Sequence, residues 1–372
     1  MNILVLMPRF RRLEYAFFGD GDRKALLELR QSDFPSEGEG IVDALDKIRA
    51  DCMMFNAGPP DIVVIRSAYG GSMFSRTTPV DVEMLSRLAT LAPDAPMHVP
   101  QVCQSAKAAL KAFGESMVVM AFETAFFVDL PDRERRYAIA DDRMRKFGYH
   151  GLYHQAACNE PDGLRSNGAT RTLSLCLEPQ PEVVAILGHR PVLTTSGVTP
   201  LEGLPGETTC GDLDPTIVLT LARRLNWGPE EINNVLTRQS GLRGLLGRSL
   251  CLGQVLASEA WPKNGHLCPG DNGTPHEACN ILAYRILLAG GASVAAMGGL
   301  DRIVLSGRYA DQGQGLGQWL TQRLRAKDAS ANRPILLQCK DTLARILADS
   351  ASVLQWERMQ RRRLPTCSIK HG

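Results

Sequence analysis

Two carboxylates, Asp212 and Asp214, close a run of turn-forming residues that begins at Ser196 and ends in Gly211-Asp212-Leu213-Asp214-Pro215. An apolar-periodic stretch follows, so the segment reads as a helix start. Asp214 suits the N-cap, and Pro215 suits the first helical position, where its missing N–H costs nothing. A second candidate is the pair His150 and His154, whose four-residue spacing could bring two imidazoles to one metal ion. No acidic residue accompanies them and Gly151 lies between them, so zinc is not expected. A third is Gln312-Gly313-Gln314-Gly315-Leu316-Gly317, which imitates a phosphate-binding glycine loop. It lacks the lysine such a loop needs, and a plain surface loop is expected.

The elements that must hold these residues alternate between strands and helices. Apolar runs at 3–7, 13–18, 61–67 and 117–122 read as strands, and so do 172–177, 183–187, 303–305 and 335–338. Segments 281–290 and 292–297 read as one long apolar helix, and 341–356 as a last helix. Two strand–turn–strand units, one heading each half, suggest an internal duplication. The fold class is therefore α/β. At 372 residues, two domains are expected. The net charge of +2, from 42 basic and 40 acidic residues, gives no field that would draw nucleic acid or a membrane surface. Ten cysteines with no Cys-x-x-Cys pair point to reduced thiols in a cytoplasm. The opening apolar run is too short for a leader or a span.

Several separated segments resemble one family, in family order. Phe122-Glu123-Thr124-Ala125-Phe126 is similar to the Phe-Asp-Thr-Ala-Phe-His of acetate kinases. Phe147-Gly148-Tyr149-His150-Gly151-Leu152-Tyr153-His154 is similar to their Tyr-Gly-x-His-Gly-Thr-Ser-His. Thr199-Pro200-Leu201-Glu202-Gly203 and Gly211-Asp212-Leu213-Asp214-Pro215 match Thr-Pro-Leu-Glu-Gly and Gly-Asp-Ile-Asp-Pro. Ala95-Pro96-Met97-His98-Val99-Pro100 and Ser240-Gly241-Leu242 also fit. The chain thus resembles the acetokinase family of acetate, propionate and butyrate kinases.

That resemblance implies a two-lobed actin-like, Hsp70-like, sugar-kinase-like fold with a duplicated core and a central cleft. It implies one lobe of residues 1–128 plus 344–372 and another of 129–343, and usually a homodimer. The implied reaction moves a phosphoryl group from ATP, with magnesium, to a short-chain carboxylate, giving an acyl phosphate. By resemblance Arg66, Glu123 and His150 are catalytic, with Glu123 one methylene longer than the family's aspartate. Arg66, Ala68, Met97, His98, Tyr149 and Pro200 would bind the carboxylate, Asp212 and Gly307 the nucleotide, and Glu123 and Asp341 magnesium.

The nucleotide motifs depart from the family. Its opening Asn-x-Gly-Ser-Ser-Ser is here Met7-Pro8-Arg9-Phe10-Arg11-Arg12, and its His-Leu-Gly-Asn-Gly is Leu177-Glu178-Pro179-Gln180-Pro181. Prolines remove N–H donors and Glu178 adds a repelling charge. Thr209 stands where the family has a phosphoryl-clamping arginine. Its Gly-Ile-Gly-Glu-Asn is Gly307-Arg308-Tyr309-Ala310-Asp311, and its Asp-x-Arg falls near Cys251 and Gly253 and is missing. Arg9, Arg11 and Arg12 are open to two readings, a side-chain anion site or a solvated charged turn. Two functions follow: a divergent carboxylate kinase, or a weak or inactive homologue that binds a small anion, an acyl phosphate or a protein partner.

Overall fold

A computed structural model describes residues 1–9, 12–19, 27–33, 40–54, 58–96, 98–141, 143–161, 169–257, 275–324 and 334–363. The chain divides into two compact units, Met1–Ala125 with Asp341–Gly372, and Phe126–Lys340.

The first unit carries β1 (Ile3–Arg9), β2 (Arg12–Phe18), β3 (Leu27–Asp33), α1 (Gly40–Met54), β4 (Ile62–Ser67), β5 (Thr78–Pro79), α2 (Val82–Ala89), α3 (Val99–Ala112) and β6 (Met117–Phe122). Its sheet runs β3-β2-β1-β4-β6-β5, with β1, β4 and β6 mutually parallel and the other pairings antiparallel. β1 and β4 are uninterrupted apolar runs because parallel strands are buried on both faces. Leu4, Val5, Ile62, Val63, Val64 and Ile65 are fully buried.

The second unit carries α4 (Asp132–Arg135), α5 (Gly151–Cys158), β7 (Arg171–Cys176), β8 (Glu182–Leu187), β9 (Arg190–Thr194), α6 (Pro215–Leu225), α7 (Pro229–Arg238), α8 (Gly241–Leu246) and α9 (Leu252–Leu256). It continues through α10 (Pro275–Met297), β10 (Arg302–Ser306), α11 (Gln314–Arg323) and β11 (Ile335–Gln338). The last helix, α12 (Leu343–Arg363), returns to the first unit and packs on β1 and β4. The second sheet runs β11-β10-β7-β8-β9, with a β7-β8-β9 meander and parallel β7, β10 and β11. This is the order of the first sheet again, β3-β2-β1-β4-β6, so the duplication legible in the strand–turn–strand units is one of topology.

α6 starts as its sequence requires: Asp214 Oδ1 accepts from Thr216 N at 2.8 Å and Pro215 occupies the first turn. Glu277–Met297, within α10, is long and apolar enough by composition to cross a membrane, with mean hydropathy 1.4. Ala278, Cys279, Leu282, Ala283 and Ile286 of α10 are instead buried in the core of the second unit, where the helix packs on β8.

The glycine-rich segment 312–317 is not the surface loop expected from its sequence. It leads into the first turn of α11, with Leu316 and Gly317 buried. A Cβ at Gly317 would come within 2.7 Å of Leu336 Cδ1. The glycines there let a helix lie close on the sheet, and packing overrides their poor helix propensity.

Candidate functional site

In the first unit, the parallel neighbours β4 and β6 deliver their carboxyl ends side by side, with Arg66 opposite Ala121 and Ser67 opposite Phe122. Crevices outside such strand ends are where ligands bind in α/β sheets. Arg66 is the penultimate residue of β4, and Glu123 follows β6 at the head of a 3₁₀ turn, Glu123–Phe127. Arg66 Nε donates to Glu123 Oε1 at 2.7 Å, and the two residues are 9% and 1% exposed. The extra methylene of glutamate delivers its carboxylate onto the guanidinium. The loop after β4 is pinned by Gly70 N donating to Thr124 Oγ1 at 3.0 Å and by Ser67 Oγ donating to Tyr69 O at 2.8 Å. Gly70 must lack a side chain, since a Cβ would meet the Phe122 ring at 2.5 Å.

His98 caps α3 and reaches solvent. Crowding by protein atoms and then the Arg66 guanidinium hold its pKa below the ordinary 6.5. A base that binds fewer protons folded than unfolded takes stability away as pH falls below that unfolded value, and takes none away above it. His98 is accordingly the neutral imidazole at pH 7. An NMR titration of its ring protons is expected to give a midpoint below 6.5, and a midpoint at or above that value would refute the assignment.

Arg9 and Arg12, at either side of the basic turn, both lie against one carboxylate. Arg9 Nε lies 3.1 Å from Glu14 Oε2 and Arg12 Nη2 lies 3.3 Å from Glu14 Oε1, with Glu14 itself buried. This one carboxylate, on β2 two residues after Arg12, serves both cations. Arg11 lies outside the described residues, as does Met97.

In the second unit, His150 stands before α5 with φ 52° and ψ 24°, a left-handed conformation for a residue with a Cβ. That costs about 1–2 kcal/mol and persists only where the surroundings impose it. They do so through a buried polar cluster. Glu182 Oε1 accepts from Tyr149 N at 3.0 Å and from Thr194 Oγ1 at 2.8 Å, while Glu182 Oε2 lies 3.3 Å from His154 Nε2. His154 Nδ1 is 2.8 Å from Ser174 Oγ. An ionised carboxylate only accepts, so the contact with Glu182 calls for a proton on Nε2, while the Ser174 hydroxyl can serve Nδ1 as donor or acceptor. The far end of α5 is held by Arg302, also buried. Its Nη1 donates to Glu160 O at 2.7 Å, its Nη2 to Cys158 O at 3.1 Å and its Nε to Thr172 Oγ1 at 2.8 Å.

Around His150 the structure gathers several expected residues. Its Nε2 is 3.1 Å from Gln180 O, the Gln180 side-chain amide donates to Pro200 O, and Tyr149 OH donates to Val198 O at 2.9 Å. Tyr149 is buried and Pro200 is half-buried, and in the first unit Ala68 is half-buried as well. Asp212 Oδ1 accepts from Gly203 N at 2.8 Å, and Asp212 N donates to Gly203 O at 2.9 Å. This brace joins the Thr-Pro-Leu-Glu-Gly and Gly-Asp-Leu-Asp-Pro segments. Gly307 has φ +88°, and a Cβ there would sit 2.8 Å from the Leu177 backbone. Thr209 Oγ1 is buried without a hydrogen-bond partner.

The two carboxylates that the resemblance assigns to magnesium are differently placed. Glu123 is engaged by Arg66, Asp341 is exposed, and no group of three His, Cys, Asp or Glu among the described residues is placed to hold a metal. Sequence reading also missed Glu182, the acidic partner of His154. Its signal was a charged residue opening an otherwise apolar strand.

Two duplicated sheets, each an antiparallel meander joined to parallel strands, with charged side chains at the parallel strands' carboxyl ends, define the actin-like, Hsp70-like, sugar-kinase-like class of α/β proteins. The solved structures of Porphyromonas gingivalis acetate kinase and of a Francisella tularensis propionate kinase share the fold. Each superposes with a TM-score of 0.78 over 95% of this chain and 99% of the other, at 22% and 18% identity. Residues 17–324 match the model of the acetokinase family, and the chain belongs to that family. The acetate kinase of Clostridium botulinum (strain Alaska E43 / Type E3) is 27% identical over 292 residues, covering 77% of this chain and 68% of that protein. The acetate kinase of Clavibacter sepedonicus is 32% identical over 256 residues, covering 67% of this chain and 62% of that protein.

Proposed function

We propose that this chain is an acetokinase-type phosphotransferase that binds a short-chain carboxylate or its acyl phosphate, and that its nucleotide step is weak. The observation that carries the reading is the buried Arg66–Glu123 pair at the ends of β4 and β6, near a His98 kept neutral. A guanidinium oriented by a buried carboxylate is preorganised to grip a carboxylate or a phosphoryl oxygen. By the family resemblance, Ala68 and Met97 of the first unit and Tyr149 and Pro200 of the second are each assigned to the short acyl chain, and His150 to the phosphoryl group.

A second reading, a binding homologue without turnover, is favoured by the phosphate side. Glu14 engages both Arg9 and Arg12 and offsets one of their two charges, and Thr209 offers no cation. An arginine lost from a phosphoryl clamp typically costs about 10³–10⁵ in rate. We further propose a homodimer in the cytoplasm. Supporting the dimer, α6 and α7 have no fully buried residue, and Ile217, Leu219 and Leu225 on α6 are about half exposed.

Calorimetry with magnesium-ATP, alone and with acetate or propionate, separates the two readings. Binding that tightens with the carboxylate, together with hydroxylamine-trapped acyl phosphate, supports the kinase. A folded protein that binds acetyl phosphate but neither nucleotide nor magnesium supports the second reading. Sedimentation of the same sample checks the dimer.

A further inference from the structure

The loop after β9 is held at one point by a polar cluster. Tyr137, two residues past α4, donates its hydroxyl proton to Glu202 Oε2, and the same hydroxyl accepts from Val198 N at 3.1 Å. Burial, and then the Glu202 carboxylate, hold the phenol pKa above its ordinary 10, so the hydroxyl keeps its proton. Glu202 Oε1 lies 3.5 Å from Lys146 Nζ, which also donates to Glu134 Oε1 at 3.1 Å and to Thr194 O at 3.3 Å. The loop passes this cluster so closely that a Cβ on Gly197 would collide with the Glu202 carboxylate and the Tyr137 hydroxyl. Gly197 O in turn accepts from Phe147 N at 3.0 Å. The end of α4, the approach to Gly148-Tyr149-His150 and the loop after β9 are thereby tied together.

Val198 links this cluster to a residue that the reading above gives to the acyl chain. Its N–H donates to Tyr137 OH and its carbonyl accepts from Tyr149 OH at 2.9 Å, so a chain of hydrogen bonds runs from Glu202 through Tyr137 and Val198 to Tyr149. We propose that Tyr137 is a positioning residue for substrate size: by fixing Val198 it holds the Tyr149 ring as a rigid wall against the acyl chain, and Glu202 in turn fixes Tyr137. The inference rests on the reading above and adds to it the group that governs which acyl chain fits. A tyrosine ring has few torsions of its own, and tying its far end to a held carbonyl removes the freedom that remains. A close-fitting apolar site discriminates one methylene by about 10- to 200-fold, and a wall that yields forfeits that margin. Tyr137 acts through Val198 and not by touching the substrate.

The test is calorimetric affinity of the full chain for acetyl phosphate and for butyryl phosphate, read as the ratio of the two. The unsubstituted protein is expected to prefer acetyl phosphate by at least about tenfold. Tyr137→Phe keeps the ring and removes both hydrogen bonds, and it should move the ratio at least about fivefold toward unity. Tyr149→Phe, which cuts the chain at its other end, should do the same. The double variant should move the ratio no further than either single one, since both cut one chain. A general loss of stability would weaken both ligands alike and leave the ratio in place. The proposal is overturned by a single variant whose ratio stays within about twofold of the parent's, by additive effects in the double variant, or by a parent that does not discriminate. Should Tyr137→Phe lose its cooperative melt, Glu202→Gln, which deprives the phenol of its charged acceptor, takes its place with the same expected shift and the same limits. A parent that binds neither acyl phosphate brings down the carboxylate reading and this inference with it. A parent that binds both, with variants that keep its ratio, overturns this inference alone and leaves a structural brace.

Discussion

Replacing Glu182 with alanine is expected to destabilise the protein by about 3–5 kcal/mol, the range for removing one partner of a fully buried polar pair. The carboxylate and the His154 ring are both 0% exposed, so no water takes over the lost bonds. Three donors are stranded at once: Tyr149 N, Thr194 Oγ1 and His154 Nε2. Each buried unmet donor costs about 1–3 kcal/mol, so relaxation must recover part of the sum. Urea unfolding read as a shift of midpoint at constant slope measures it. A cost under about 1 kcal/mol would mean that water or a new partner reaches the cluster. Glu182→Gln should cost less, since its oxygen can still accept from Tyr149 N. The consequence for the site is specific: without that bond the backbone entering the left-handed turn loses its buried acceptor, and His150 should relax toward ordinary helical φ. Any binding attributable to His150 should then fall more in Glu182→Ala than thermal stability alone explains.

Glu182 also shows where reading the sequence ends. The strands and the helix start at Asp214-Pro215 were legible because apolar runs, period and capping chemistry are local properties. The family motifs were legible because their residues are contiguous. Buried polar partners are neither. His154 meets Ser174 and Glu182 at separations of 20 and 28 residues, and Glu178 meets Arg308 at 130. From sequence, Glu178 reads as a charge that repels phosphate; in the structure it is buried and paired with Arg308. The case of Glu14 is different: it stands only two residues from Arg12 and five from Arg9, but weighing the arginines as an anion site or a solvated turn passed over it. The segment 312–317 failed differently. Its glycines were weighed as loop formers, whereas the contact that selects them, with Leu336, comes from a strand some twenty residues on.

The Arg66–Glu123 pair allows its structural and functional roles to be separated. Arg66→Ala is expected to cost about 3–5 kcal/mol, because it leaves Glu123 buried as an uncompensated carboxylate. The double replacement Arg66→Ala/Glu123→Ala should be less destabilised than Arg66→Ala alone, since removing both charges removes the stranded one as well. Binding should follow the opposite pattern. If the guanidinium grips the carboxylate or phosphoryl oxygen, both variants lose acetyl phosphate affinity by about 2–3 kcal/mol, roughly 30- to 150-fold, as charge-assisted hydrogen bonds are worth. Arg66→Lys should keep the charge but not the fork, rescuing stability in part and affinity little. Unfolding curves and calorimetry on the same four proteins decide the matter. Stability recovered in the double variant with affinity still lost places Arg66 in the binding site. Affinity recovered together with stability would make the pair a brace between β4 and β6 and remove the main support for the carboxylate reading.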